Sequence, residues 1–193
     1  MPRAIHTFDN GVRVYEDHLD RKQRKRYRRR NVHEPEEEYV FTELINRLPV
    51  QGCFVNVGAA FGYYVILAHK LSPGLMIHGV EPMERHRAFL RENLRLNGLP
   101  DGDVVRRIGR PVDLLQMDVQ GLEVEVLKSG VTSMASAAVK SFLIGTHSLE
   151  IHQECVTQLL SHGYIIDVDQ PDTKEQPDGI IFARHQSAEK YSR

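Results

Sequence analysis

Cysteine is scarce in this chain, and long apolar runs are missing. Only Cys53 and Cys155 occur among 193 residues. One falls in a predicted strand and the other in a predicted helix, so a disulfide framework has no support. No apolar stretch approaches the ~20 residues that cross a bilayer, and the first residues lack the apolar core of a signal peptide. We therefore expect a cytoplasmic protein without disulfides or a transmembrane segment.

Net charge is also nearly absent, at −1, but the charges are unevenly distributed. Residues 21–30, which begin with Arg21 and end with Arg30, hold eight basic residues, and four glutamates follow at positions 34, 36, 37 and 38. One interpretation is a solvated helical face whose charges partly pair with these glutamates. The other is a basic arm that binds something anionic, such as nucleic acid, a phosphorylated sugar or an acidic membrane surface.

The length and composition are those of one globular core. The chain is 41% hydrophobic and 26% charged, which is typical of soluble domains. A predicted hairpin at residues 4–16 turns at Asp9, Asn10 and Gly11. We place this hairpin and the basic arm (residues 1–33) outside the main sheet, and the main domain at residues 34–193.

Residues 53–64 predict a buried strand, a glycine turn and a helix, and the rest of the chain is organised around them. Gly58 and Gly62 let backbone approach a ligand closely, although a tight turn needs glycine even without one. A second apolar strand, residues 76–80, ends on Glu81, where nucleotide-binding sheets place an acid for ribose hydroxyls. Because Ala60 replaces the middle glycine of G-x-G-x-x-G, we expect an adenosine ligand without a pyrophosphate.

Strands and helices alternate along the chain, which predicts a doubly wound, mostly parallel sheet. Helices are expected at residues 35–48, 63–71, 84–97, 122–128 and 149–161, and further strands at 112–117 and 139–144. Residues 163–168 and 179–184 predict an antiparallel closing pair, joined by a loop that could cover the site. Between Val104-Val105 and Val112-Asp113 only six residues intervene, too few for a crossover helix. The sheet is therefore predicted to be reduced around its third strand.

Several segments together resemble the FkbM-like family of S-adenosylmethionine-dependent methyltransferases. They are residues 54–64, Val80-Glu81-Pro82, residues 92–98 and residues 113–128, with residues 144–148 similar to a signature found in part of that family. The resemblance spans residues 34–184 and implies an α/β, Rossmann-like class I methyltransferase fold. It also implies S-adenosylmethionine as the cofactor, held by Asn56, Gly58, Ala59, Phe61, Gly62, Tyr63, Glu81, Pro82 and Asp118.

Departures from the family pattern limit what the resemblance implies. The family usually has Asp where this chain has Asn56, and Glu where it has Gln120, so a charge near the cofactor's amino group is missing. In related methyltransferases a polar residue after the third strand contacts the adenine. The shortened region leaves that contact to another part of the molecule, and a homo-oligomer is one arrangement that would supply it.

Methyl transfer from a sulfonium is an in-line displacement, and an alcohol acceptor must also lose a proton. His147 is our candidate base, because it follows a strand at the sheet edge where Asp118 also lies, and imidazole titrates near neutral pH. The structural alternative for Asp118 is to cap the following helix. His147, Glu150 and His152 could join Asp118 as metal ligands, but their spacing is not H-E-x-x-H, and we expect no metal.

These patterns predict methylation of a hydroxyl on a sugar, a glycan or a small natural product. Two alternatives remain open. One is a nucleic-acid methyltransferase that uses the basic arm at residues 21–30 to bind phosphates. The other is a non-catalytic binding module built on a methyltransferase frame.

Overall fold

The computed structural model describes residues 2–101, 110–174, 176 and 178–188. Its strands are β1 (Ile5–Thr7), β2 (Arg13–Tyr15), β3 (Cys53–Val57), β4 (Met76–Val80), β5 (Leu114–Met117), β6 (Ser141–Thr146), β7 (Tyr164–Gln170) and β8 (Gly179–His185). Its helices are α1 (Arg21–Arg29), α2 (Pro35–Arg47), α3 (Tyr63–Leu71), α4 (Glu84–Leu96), α5 (Glu123–Ser129), α6 (Val131–Ala135) and α7 (Leu149–Ser161), with a 3-10 turn at Glu16–His18.

Six strands form the main sheet in the order β4-β3-β5-β6-β8-β7. The first four are parallel to one another, and β8 is antiparallel to both of its neighbours. The predicted doubly wound sheet with an antiparallel C-terminal strand is therefore confirmed. The predicted third strand, Val104-Val105, lies outside the described residues, and within the described part of the chain β4 forms that edge of the sheet.

Helices cover both faces of the sheet because strand residues alternate between two apolar cores. Phe54, Leu114 and Leu143 face one core, which also contains side chains of α2, α3 and α4. Their chain neighbours Val55 and Phe142 face the other core, with side chains of α5, α6 and α7. Burial on both faces explains why these strands are apolar almost throughout.

The N-terminal hairpin is a separate two-stranded sheet, as predicted, but its side chains belong to the main core. Phe8, Val14 and Tyr27 are fully buried in the same cluster as Phe54. Asn93 of α4 ties the segment down: its side chain accepts from the Tyr15 N–H at 3.1 Å and donates to the Phe61 carbonyl at 2.8 Å. The division of the chain after residue 33 stays a prediction.

Helices α3 and α7 and strand β4 have the predicted bounds, and several other elements differ from theirs by one or two residues. The strand predicted at 139–144 begins at Ser141, because Val139 makes only an isolated bridge to Val112. The basic stretch is a helix whose start is closed by a reciprocal capping box between Asp20 and Gln23. Both cysteines are buried free thiols. In the described ranges, no helix has the length and apolar character needed to span a bilayer.

Candidate functional site

A cavity of about 1310 Å³ lies at the carboxyl ends of β3, β4 and β5. This is the edge at which parallel α/β sheets bind ligands. All of the predicted cofactor-binding residues line it except Gly62. A pocket for one small ligand occupies roughly 300–1000 Å³, so this cavity has room for a cofactor together with part of an acceptor.

The turn after β3 is tightly packed against the end of β5. Gly58 has a φ of 83°, and a Cβ at this position would lie 2.1 Å from the Asp118 carbonyl oxygen. The Gly58 and Ala59 N–H groups both donate to the Val80 carbonyl, at 2.9 and 3.1 Å. Glycine is therefore required at position 58 by packing alone. Gly62, with a φ of 94°, starts α3 and packs against Leu90.

Glu81 is buried at the end of β4 and holds the turn together. One carboxylate oxygen accepts from the Ala60 N–H at 2.8 Å, and the other from the Met83 N–H at 2.8 Å. Ala60 has a φ of 44°, an uncommon conformation for a side-chain-bearing residue, and the bond to Glu81 stabilises it. The carboxylate also lines the cavity together with Pro82.

Asn56 is the first of three buried polar side chains that are linked by hydrogen bonds. The Asn56 amide donates to the Gln116 side-chain oxygen on the neighbouring strand, and Gln116 donates to Glu37 at 2.9 Å. Burial, together with the nearby Glu34 and Asp118 carboxylates, raises the pKa of Glu37 well above its usual range. Asn56 therefore begins a buried hydrogen-bonded series that leads to Glu37, and a carboxylate at position 56 would add to the negative charges that already raise the pKa of Glu37.

Tyr63 connects the glycine turn to the N-terminal hairpin. Its hydroxyl accepts from the Asn10 amide at 2.7 Å and donates to Glu38. Tyr63 and Phe61 are buried yet line the cavity. The hairpin turn thus helps to position one wall of the site.

His147 lies between carboxylates at the end of β6. Its Nδ1 donates to Glu123 Oε1 at 2.9 Å, and its Nε2 lies 3.4 Å from both Asp118 Oδ1 and Asp178 Oδ1. Glu123 also accepts from the Val119 and Gly121 N–H groups, at 3.2 and 3.1 Å. The predicted proximity of His147 and Asp118 is confirmed. The capping alternative for Asp118 is wrong, because the N-cap residue of α5 is Leu122, four positions later.

The charged groups in this cluster shift one another's pKa values. The hydrogen bond to Glu123, opposed by burial and reinforced by Asp118 and Asp178, raises the pKa of His147 to about 9. Burial raises the pKa of Asp178 to about 6, and burial and Glu34 raise the pKa of Asp118. At neutral pH His147 is therefore an imidazolium paired with carboxylates, and it has no free lone pair.

The predicted metal-ligand set is only partly brought together. His152 instead bonds Thr146 at 2.8 Å and Asp169 at 2.9 Å, and Glu150 is exposed. Among the described residues, Asp118, Glu123 and His147 offer ligand atoms within 4.8 Å of one another. A cation there would have to displace the proton that His147 shares with Glu123.

Sequence similarity to a known protein covers about a third of this chain. No protein-family profile matches the chain. A protein of Jannaschia sp. (strain CCS1), named as a candidate methyltransferase, is 38% identical over 63 residues. That match takes in 33% of this chain and 22% of the relative, so the chain spans about a fifth of the curated protein it resembles. Membership of the FkbM-like family stays a prediction.

Solved structures share the whole architecture at low identity. A precorrin-6y C5,15-methyltransferase from Geobacter metallireducens GS-15 superposes with a TM-score of 0.63 at 17% identity, over 81% of this chain and 90% of that one. An O-methyltransferase from Bacillus cereus, in complex with S-adenosylhomocysteine, gives 0.59 at 13%, over 87% and 92%. A candidate tRNA (m1A22) methyltransferase from Streptococcus pneumoniae gives 0.58 at 17%, over 77% and 70%. The chain has the class I methyltransferase fold.

Within this class I methyltransferase fold, three cavity residues were missed by the sequence interpretation. Within the part of the chain that the structure describes, Glu34 Oε2 and the Tyr64 hydroxyl are buried without a hydrogen-bond partner, although His33 Nε2 lies 3.8 Å from Glu34 Oε2. Asp178 faces Asp118 across His147. Buried polar atoms without partners are rare, and both line the cavity. The sequence interpretation placed Glu34 at the start of the main domain and Tyr64 at the end of a segment that resembles the methyltransferase family, but it assigned neither a role. Asp178 ends the stretch that was interpreted as a loop that could cover the site.

Proposed function

We propose that this chain is an S-adenosylmethionine-dependent methyltransferase of the FkbM-like type. The proposed reaction is O-methylation of a hydroxyl on a sugar, a glycan or a small natural product. The observation that carries the proposal is one cavity that combines the turn at Gly58, the acid Glu81 at the end of the adjacent strand, and the unpartnered polar atoms of Glu34 and Tyr64. A sheet edge with these features suits an adenosyl ligand with a polar tail.

Glu81 is the proposed ribose anchor. Each of its carboxylate oxygens already accepts one backbone N–H, and a carboxylate offers about four lone-pair positions. One position on each oxygen therefore remains for the two ribose hydroxyls. The methionine end then reaches the acidic side of the cavity, where Glu34 and Asp118 can pair with its ammonium group.

The acceptor faces Asp118 and Asp178 in this arrangement, whereas His147 contacts both carboxylates but is not among the residues that line the cavity. The acceptor oxygen attacks the methyl carbon, the new C–O bond forms as the C–S bond breaks, and S-adenosylhomocysteine leaves. The hydroxyl proton passes to a carboxylate of Asp118 or Asp178 that the charged His147 holds nearby. His147, which was predicted to be the base, is proposed instead to be the charged partner of the proton acceptor.

Glu81→Gln tests the cofactor assignment. The change removes the charge that strengthens the ribose hydrogen bonds, and we expect affinity for S-adenosylhomocysteine to fall about tenfold, measured by titration calorimetry. Glu84→Gln removes the same charge from an exposed position on α4 that does not line the cavity and should change affinity less than about twofold. Equal affinity in wild type and Glu81→Gln, or no binding to wild type at millimolar concentration, would contradict the proposal.

A nucleic-acid acceptor is the second candidate, and one observation favours it. Side chains of α1, including Lys22 and Arg26, line the same cavity as Glu81 and Asp118. The basic stretch therefore borders the proposed methyl-transfer site instead of projecting away from it.

A further inference from the structure

The wall of the cavity away from the sheet is strongly basic. Lys22 and Arg26 reach it from α1, and Arg87 and Arg91 reach it from α4. Arg87 is already engaged, since it donates to the Glu81 carbonyl at 3.0 Å. The cavity thus has carboxylates at Glu34, Asp118 and Asp178 and cations on the helices α1 and α4, so an anionic group of a ligand can pair with these cations.

A second cavity of about 420 Å³ continues along the same helix. It is lined entirely by Lys22, Lys25, Arg26, Arg29 and Arg30. Lys22 and Arg26 line both cavities, so the two adjoin at these side chains. The basic lining runs over residues 22–30, which corresponds to about 12 Å of helix axis. In duplex DNA each strand carries one phosphate per ~3.4 Å of helix axis, so a basic lining of this length can contact more than one phosphate.

Arg26 lines both the main cavity and the second cavity, and its contacts show which of its donors are in use. Its guanidinium lies 3.6 Å from Glu34 Oε1 and donates to the Tyr27 hydroxyl at 3.2 Å. Its Nε is buried without a hydrogen-bond partner among the described residues. A guanidinium has five N–H donors, so Arg26 can hold its pairing with Glu34 and still donate to a phosphate oxygen.

We propose that α1 binds phosphate groups of the methyl acceptor. One phosphate docks between Lys22 and Arg26, where the two cavities adjoin, and the acceptor hydroxyl is directed toward Asp118. Further phosphates lie along Lys25, Arg29 and Arg30. This inference rests on the proposed methyltransferase function and names the chemistry of its acceptor, which is either a small phosphorylated molecule or a nucleic-acid strand.

Paired charge-removal variants test the phosphate site. Lys22→Ala/Lys25→Ala removes two charges that line the cavities, whereas Arg21→Ala/Arg28→Ala removes two from the same helix that line neither. Inorganic pyrophosphate and a short single-stranded oligoribonucleotide are titrated into each protein saturated with S-adenosylhomocysteine. We expect at least about tenfold weaker binding in the first variant and less than about twofold in the second. For the oligonucleotide, the slope of log K against log salt should shrink by about 1.4 only in the first.

The outcomes separate this inference from the function on which it rests. If wild type fails to bind S-adenosylhomocysteine, the proposed function fails. If that ligand binds but both double variants weaken the probes equally, or no probe binds, the phosphate site alone is overturned. Binding only to vesicles that contain anionic lipids overturns it too. If the oligonucleotide binds no more tightly than pyrophosphate, the acceptor is a small phosphorylated molecule; much tighter oligonucleotide binding identifies a nucleic acid.

Discussion

His147 is stabilised in its charged form by the carboxylates around it. Glu123 accepts from Nδ1 at 2.9 Å, and Asp118 and Asp178 lie 3.4 Å from Nε2. These contacts raise the pKa of His147 to about 9, above the value near 6.5 expected in an unfolded chain. Between these two pH values the folded protein binds more protons than the unfolded one, so stability falls as pH rises.

The pH dependence of unfolding tests this assignment. The contribution of His147 should be complete below about pH 6.5 and lost as pH approaches about 9, with a slope of up to about one proton per chain. His147→Gln should flatten the free energy of unfolding over this range, as measured by urea denaturation. Gln153→Ala, at an exposed position on α7, removes no titratable group and should leave the slope unchanged. An unaltered slope in His147→Gln would show that the ring does not carry this proton.

The turn between β3 and α3 depends on how closely two elements approach. A Cβ at Gly58 would lie 2.1 Å from the Asp118 carbonyl oxygen at the end of β5, and neither backbone can move without disturbing the β3–β5 pairing. Gly98, after α4, also has a positive φ, of 73°, but a Cβ there would contact nothing within 4 Å. A comparison of substitutions at the two glycines therefore separates the cost of conformational strain from the cost of steric overlap.

Substitution of each glycine by alanine measures that difference as a loss of stability. Gly98→Ala should cost about 1 kcal/mol, the penalty of a left-handed conformation. Gly58→Ala should cost about 3 kcal/mol or more, because overpacking adds to that penalty. Urea denaturation of the two variants provides the comparison. Similar losses would mean that the turn relaxes around the added methyl group.

At the scale of the molecule, the N-terminal segment and the main sheet share one apolar core. Phe8 is 2% exposed and packs edge-on against Tyr27 and Tyr63, with ring centroids 4.9 and 4.8 Å apart. Because the N-terminal segment and the main sheet share this core, they are expected to unfold together in one step. The hairpin and α1 are then part of the structure that positions the site.

Phe8→Ala should destabilise the entire chain by about 3–5 kcal/mol, with a single transition seen both by far-ultraviolet circular dichroism and by tyrosine fluorescence. Tyr39→Ala, at a side chain that is 72% exposed, should change stability by less than about 0.5 kcal/mol. Two separate transitions in Phe8→Ala would instead support residues 1–33 as an independent unit.

The local sequence pattern was sufficient to predict the elements nearest the cavity. The apolar run of β3, the glycine turn and the acid at position 81 depend on neighbours in sequence, and α3 and β4 begin and end where predicted. Glu150 and His152 were misplaced because proximity in sequence does not say which face of a helix turns inward. Asp178 and Glu123 were missed because they approach His147 from 31 and 24 positions away.

The order of residues was enough to predict the alternation of strands and helices, the turn after β3 and the carboxylate that closes it, since each follows from short-range periodicity and backbone sterics. What these residues do together depends on the fold. The sheet order brings Asp118, His147 and Asp178 together, and core packing places the basic helix α1 along the cavity. Charge interactions and burial depend on distances through space, which the order of residues does not specify.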